Sequence, residues 1–265
     1  HKGALAVCEQ FAFSGVQTSA LRSFATARGV TPFMLLLGAF AITLREHSGQ
    51  SRIRLGSDIA NRSHPAAEPL VGFFINQLVL QVDLDLAASS DALLEQCRRV
   101  VLGAAQHQDL PFEQLVEALR PPRRAGRSPF FSIKLNYQEG EPPLPRLCDV
   151  RVEPFEASQQ AAELDLILGF YSSASRLEAR FEMPEGLFEP GEIAQLFAQI
   201  QAVLDRWLAK PGQTQADLLE AAAQLRREAR AIDSQQRQSL LGSQRPLRRR
   251  AAQPSTSQPH SVQEQ

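Results

Sequence analysis

Residues 32–44 read PFMLLLGAFAITL. Thr31 can cap a helix at this point, and Pro32 suits the first helical position, where its missing N–H leaves nothing unpaired. A helix of this composition has no wet face, so other elements must enclose it on every side. The chain has the means: of its 265 residues 43% are hydrophobic and 22% charged, the balance of a soluble globular protein forming one large domain or two small ones. The stretch is too short to span a bilayer, which takes roughly 20 apolar residues. The opening HKGALAVCEQFAFSG lacks the ordered basic, apolar and cleavage-site regions of a signal peptide, and lacks Met, so the chain is expected to be a cytoplasmic piece of something longer.

Around this helix the periodicities alternate. Residues 4–13 read as a strand, and Leu21, Phe24 and Ala25 give a short helix face ending near Gly29. RIRLGSDIA, from Arg52, alternates as a strand, and NRSHPAAEP is a loop. VGFFINQLVLQVDLDL, from Val71, opens as a continuous apolar run and ends in strict alternation, the pattern of a strand with one wet face at its far end. Residues 91–106 are helical by period. A second helix is expected to follow, capped by Asp109, with Pro111 in its first turn and Phe112, Leu115, Val116 and Leu119 as its inner stripe. FFSIKLNYQ and VRVEPF read as strands, and ELDLILGFY with RLEARFEM as a hairpin across SSAS. A long amphipathic helix starts after Glu189; residues 214–241 are helical but weakly apolar. The expected architecture is α/β, a mixed β-sheet flanked by helices. No GxGxxG follows a strand and no GxxxxGK occurs, so nucleotide-binding folds of those types are excluded.

Few residues invite chemistry. A net charge of −1 gives no pull toward nucleic acid or an anionic membrane. Positive charge is nearly all arginine, with lysine only at Lys2, Lys134 and Lys210; this reads as base-composition bias. Cys8, Cys97 and Cys148 form no paired framework, which suits a reducing compartment and argues against structural zinc. Cys97 falls on a helix's apolar face and reads as core. HQDLPFEQL, residues 107–115, gathers His107, Asp109 and Glu113. A catalytic reading would make His107 a base oriented by a carboxylate. The structural reading gives every residue a local role, in which His107 ends one helix, Asp109 caps the next, and Glu113 meets its positive end. The structural reading is preferred, and a metal site lacks a third strong donor. The arginines at 120–127 read as a solvated loop, with phosphate binding as the rival. Asn76 interrupts an apolar run, and a buried amide there must either tie down a neighbouring loop or face a solvent channel.

Three stretches together resemble the condensation domains of nonribosomal peptide synthetases. VGFFINQLVLQ is similar to their motif around an I-G-x-F-V-N core, and HQDLPFEQL follows their H-Q-D-x-P-F-E almost letter for letter. RRAGRSPFF is similar to R-x-x-S-R-x-P-L, with Gly126 in place of Ser and Phe130 in place of Leu. VTPFMLLLGAFAITLREHSGQ and GSDIANR fit the same run, and the order agrees from about residue 4 to 210. The resemblance implies the chloramphenicol-acetyltransferase-like fold of two lobes with a tunnel between them. Carrier proteins would present thioesters there on phosphopantetheine arms, with no cofactor bound directly by the chain. The family's catalytic histidine sits in H-H-x-x-x-D-G at the end of the first lobe, and this sequence contains no such motif. The chain therefore reads as the C-terminal lobe only, residues 1–210, followed by a helical linker over 211–242 and a tail over 243–265.

By resemblance Gly72, Phe73 and Asn76 belong to the tunnel, which favours the channel-facing reading of Asn76. His107, Asp109, Pro111, Phe112, Glu113, Arg127 and Pro129 are motif residues with structural roles, and no catalytic residue and no metal ligand is expected. Implied partners are an N-terminal condensation lobe, aminoacyl or peptidyl carrier proteins and a downstream adenylation domain, without nucleic acid or membrane. Whether the chain is an enzyme is left open. The rivals to an amide-forming lobe inactive by itself are a non-catalytic carrier-protein or lobe-docking module and a gene fragment without a selected role. The tail offers no periodic apolar face, so residues 243–265 are expected to be disordered. Hydrogen exchange should find fast amides there; slow amides throughout would contradict it.

Overall fold

The computed structural model describes residues 4–62, 64–122, 128–140, 148, 150, 152–153 and 161–243, with side chains as far as Ile232. The chain divides into two compact units, residues 1–227 and 228–265. Of the second, the structure describes only the end of a helix through Ser243, so the rest of the tail lies outside the described residues.

The first unit is built on one six-stranded mixed sheet. Its strands are β1 (Ala6–Ala12), β2 (Arg52–Ile59), β3 (Asn76–Asp83), β4 (Ile133–Glu139), β5 (Leu166–Ser172) and β6 (Leu177–Pro184), in the spatial order β1-β6-β5-β4-β2-β3. β2, β4 and β5 run parallel; β1–β6, β5–β6 and β2–β3 are antiparallel pairs. The hairpin read from ELDLILGFY and RLEARFEM is β5–β6, in the register Leu168↔Phe181. Alternation along the strands sends Ile53, Leu55, Leu80, Val82, Leu168, Phe170, Ala179 and Phe181 into one core. Arg52 and Asp83 pair at 2.9 Å on the wet side of β2–β3.

The helices are α1 (Gly15–Ala27), α2 (Pro32–Ser48), α3 (Ser90–Gln106), α4 (Phe112–Leu119), α5 (Glu192–Ala209) and α6 (Gln215–Ser243). The first is closed by a reciprocal pair: the Ser14 hydroxyl accepts from the Gln17 N–H, and the Gln17 side chain accepts from the Ser14 N–H. α2 is the enclosed helix. Thr31 Oγ1 accepts from the Met34 N–H at its start, and Gly49, at φ 69°, ends it in the left-handed conformation that glycine adopts without strain. Leu35, Leu36, Leu37, Phe40 and Ile42 are wholly buried, and α2 touches α1, α3, α5 and β2. One close crossing is with α5. A Cβ at Gly38 would stand 2.8 Å from the Trp207 ring, so only glycine lets the two helices approach this far.

Three expectations need correction. The apolar run 71–75 is not strand: β3 begins at Asn76, paired to Ile59, because β2 ends there and offers no ladder beyond. Val71 and Phe73 are therefore 104% and 93% exposed. Lys134, on the polar side of its strand's alternation, is buried. Finally, the compact unit does not stop at 210. Leu218 and Ala222 join the core, the Gln199 amide donates to the Ala222 carbonyl at 3.0 Å, and Arg226 meets Glu46 at 3.0 Å. The boundary set at 210 moves to Arg227 because the start of α6 covers the outer side of α2 and α5. VRVEPF falls mostly outside the described residues; Val150 forms only a bridge and no named strand.

Ending the chain after Lys210 should therefore cost more than about 3 kcal/mol, the scale of deleting buried leucine-sized groups. Ending it after Arg227 should leave unfolding of the first unit unchanged. Urea denaturation of the two truncated chains checks this.

Candidate functional site

The segments singled out by motif converge at one margin of the sheet. Asn76, the first residue of β3, is nearly buried, and all four of its amide's hydrogen bonds are made. Its Nδ2 donates to the carbonyls of Gln108 and Leu110, both at 2.7 Å. Its Oδ1 accepts from the N–H of Phe112 at 3.1 Å and of Gln77 at 2.9 Å. The joint between α3 and α4 is thus held by one side chain more than thirty residues upstream. Of the two roles open for Asn76, this geometry is that of tying down a neighbouring loop. The preference for a channel-facing amide is corrected accordingly, since a fully bonded amide has no free group to offer a channel.

The same bonds correct the cap of α4. Asp109 is exposed and makes no capping bond; Pro111, in extended backbone (ψ 140°), occupies the cap position, and the helix starts at Phe112. Asp109 lies too far ahead of the first helical N–H groups, and the Phe112 N–H is taken by Asn76. Glu113 sits in the first turn, and His107 ends α3, its N–H donating to the Ala104 carbonyl at 3.1 Å. Both side chains are exposed, and among the described residues neither bonds to Asp109. The stripe of α4 is shallower than expected. No residue of it is fully buried, and Leu119 is exposed, because the helix lies at the margin of the first unit against β3.

Aromatic packing joins the next segment. The Phe112 ring lies 5.8 Å from Phe130 and 5.8 Å from Phe131, centroid to centroid. Phe131 in turn covers Gly56 of β2 so closely that a Cβ there would meet the ring at 2.4 Å. Pro129 precedes this pair, half-buried; Arg127, with the arginines at 123 and 124, lies outside the described residues. The segment leading into β3 is braced by Arg62, which donates to the Ala67 carbonyl and lies 4.3 Å over the Phe74 ring. Gly72 and Phe73, placed in the tunnel by resemblance, both stand exposed on this segment, with Gly72 backed by the Phe74 ring.

Burial pushes the Cys97 thiol up to about 12, so it stays protonated and inert at neutral pH. His47 Nε2 is bonded to Gln199 at 2.7 Å, and His64 Nδ1 accepts from the Ala66 N–H. Among the described residues no group of three or more His, Cys, Asp or Glu is placed to hold a metal ion. No single helix there is long and apolar enough to cross a membrane. What the site does is fix two polypeptide joints against each other. Sequence reasoning missed two of its parts, the capping of α4 by Asn76 and the burial of Lys134, since neither leaves a local signal.

Asn76→Ala should strip partners from two carbonyls and one helix N–H and cost about 2–4 kcal/mol, whereas Asp109→Ala should stay within about 0.5 kcal/mol. Urea denaturation of the two variants checks the assignment.

Comparison with known proteins agrees with this architecture. The family described as "Condensation domain" matches residues 7–225. Malpinin synthetase of Mortierella alpina is 37% identical over 187 residues, 71% of this chain and 2% of that protein. Tyrocidine synthase 3 of Brevibacillus parabrevis is 34% identical over 191 residues, 72% of this chain and 3% of that one. The chain thus spans a small fraction of the length of these relatives. Among solved structures, the X-domain from teicoplanin biosynthesis superposes with a TM-score of 0.73 at 22% identity, over 80% of this chain and 49% of that one. A four-domain nonribosomal peptide synthetase bound to AMP and glycine gives 0.72 at 21%, over 80% and 17%. The fold is that of these proteins, and the chain belongs to the condensation-domain family of nonribosomal peptide synthetases.

Proposed function

We propose that this chain is the C-terminal lobe of a condensation domain, contributing to amide-bond formation between carrier-protein-bound aminoacyl or peptidyl thioesters, and inactive without a first lobe. The observation that carries this is one of extent. A single compact lobe covers about half of an isolated X-domain (49%) and about half of an isolated condensation domain (48%), while the sequence holds no H-H-x-x-x-D-G. A second body of similar size would complete the fold and bring the histidine.

Aminolysis of a thioester needs a group to manage the amine's proton and a frame that holds both reactants. His47, His64 and His107 are engaged in or beside helix ends, and His1 and His260 lie outside the described residues. The lobe's part would be the frame. The exposed apolar residues Val71, Phe73 and Ile75, beside Gly72, supply surface for one wall of a tunnel. The partners in this reading are the first lobe, carrier proteins with their phosphopantetheine arms, and a downstream adenylation domain. In the same reading the phosphopantetheine stays on its carrier protein and the chain binds no cofactor directly.

Incubated with two carrier-loaded aminoacyl groups, the chain alone is expected to give no dipeptidyl-carrier product by mass spectrometry. The missing placement is worth roughly 7–11 kcal/mol in well-oriented pairs. Supplying a first lobe that carries the histidine motif should restore product. In that system Asn76→Ala should lower the rate more than His107→Ala does per unit of folded protein. Product from the lone chain, abolished by His107→Ala, would overturn the proposal.

A further inference from the structure

The segment from residue 60 to residue 75 is long for a connection between adjacent antiparallel strands. Apart from a 3-10 turn at Pro65–Ala67 it forms no regular structure among the described residues. Connections beyond roughly 12–15 residues without structure of their own are uncommon, and ordering them costs conformational entropy. Here the downstream end is fixed by Asn76, and Arg62 braces the middle. The upstream end raises a separate question, because the sheet comes apart there.

β2 and β4 are joined by one register pair, Gly56↔Lys134. Past it, side chains replace the ladder. The Asp58 N–H donates to Asn136 Oδ1 at 2.9 Å, a bond that a continuing ladder would have sent to main chain. Asn136 Nδ2 donates back to Asp58 Oδ2 at 3.0 Å. Lys134 Nζ lies 2.9 Å from Asp58 Oδ1 and 3.2 Å from Oδ2. The Lys134 side chain is 6% exposed and that of Asp58 28%. An ammonium this deep is tolerated only with its counter-charge in place. Lys134 is one of three lysines among the chain's twenty-eight Lys and Arg residues, and its single ammonium lies near both oxygens of Asp58.

We propose that Asp58, Lys134 and Asn136 form a clasp that positions the 60–75 segment. It fixes the direction in which the chain leaves β2, so that, with Asn76 closing the other end, Leu70, Val71, Phe73 and Ile75 are presented outward as a preformed apolar crest. The clasp's three members are positioning residues and touch no reactant. The consequence for catalysis rests on the condensation reading above; the consequence for the segment's order does not.

The test separates the two. In the full chain Asp58→Asn keeps an oxygen for Asn136 but leaves the buried ammonium uncompensated. Amide exchange across 60–75 should accelerate about tenfold while α2 and α5 hold their protection. Adding Lys134→Met removes the stranded charge and should return exchange to within about threefold of the parent. Arg52→Ala, which breaks an exposed ion pair on the same strand, should leave 60–75 unchanged. Should Asp58→Asn fail to fold, Lys134→Met alone decides, since it must still speed exchange in 60–75 relative to α2. In a domain completed by a first lobe, Asp58→Asn should raise KM for the carrier-linked substrates about fivefold with kcat within about twofold, and the double variant should bring KM back. Unchanged exchange in 60–75, or loosening that Lys134→Met does not repair, overturns the clasp. Loosening and repair with KM unmoved overturns its link to substrate. A completed parent domain that makes no amide bond counts against the condensation reading, and the exchange result then still decides the clasp.

Discussion

The structure depends on burying a helix that has no polar side. α2 can exist only where it is enclosed, and the enclosure sets the plan of the compact unit: the sheet's apolar face on one side, α1, α3 and α5 around it, and Leu218 and Ala222 at the start of α6 joining the same core. Gly38 against Trp207 is a close point of that packing. The apolar area removed from water along α2 and its neighbours is the dominant favourable term for such a unit. It also explains why α6 is not a linker over its first turns. Without Leu218 and Ala222 the far side of this core would be open to water.

The motif segments lie at the margin of that core, where hydrophobic burial alone does not specify geometry. There the specification is polar and local in space. One amide at Asn76 holds the α3–α4 joint, one ring at Phe131 lies over Gly56 and beside Phe112, and one ion pair joins β2 to β4 beyond their last backbone pairing. Each contact links two segments distant in sequence rather than serving its own. A buried amide with all its bonds made is strongly directional, because any displacement strands groups that water cannot reach. Of the signature residues, Asn76 and Phe112 are thus the ones whose side chains fix a joint, while His107, Asp109 and Glu113 stand exposed.

Membership of the condensation-domain family gives this margin a meaning. In the reading proposed above, the chain would help to hold two tethered substrates in line, and catalysis by placement tolerates little looseness in the supporting shell. Leu70, Val71, Phe73 and Ile75 are exposed, and the inner stripe of α4 is only half-buried, so both offer apolar surface that the compact unit does not cover itself. Held at Asn76 on one end and, as proposed above, at Asp58 on the other, the 60–75 segment would contribute geometry rather than only contact area.

Much of the fold was legible in the sequence because helical and strand periods are set by residues close together in the chain. The enclosed helix with its Thr31 cap, the β5–β6 hairpin from its alternation and the long α5 from its stripe all follow from local pattern. The candidate site was legible only as a family signature, carried by HQDLPFEQL, with the places of His107 at the end of α3 and Glu113 in the first turn of α4 readable from local pattern. Tertiary structure decided the rest. Asp109 looks like a cap within its own segment, yet the amide that caps α4 comes from Asn76 on another strand. The run 71–75 looks like strand, but β2 ends at Ile59 and leaves it no partner. Lys134 alternates as an outward residue and is buried because Asp58 reaches it across the seam. In each case the deciding group is distant in sequence, and a hydrogen bond or ion pair depends on where atoms lie in space, which local periodicity does not record.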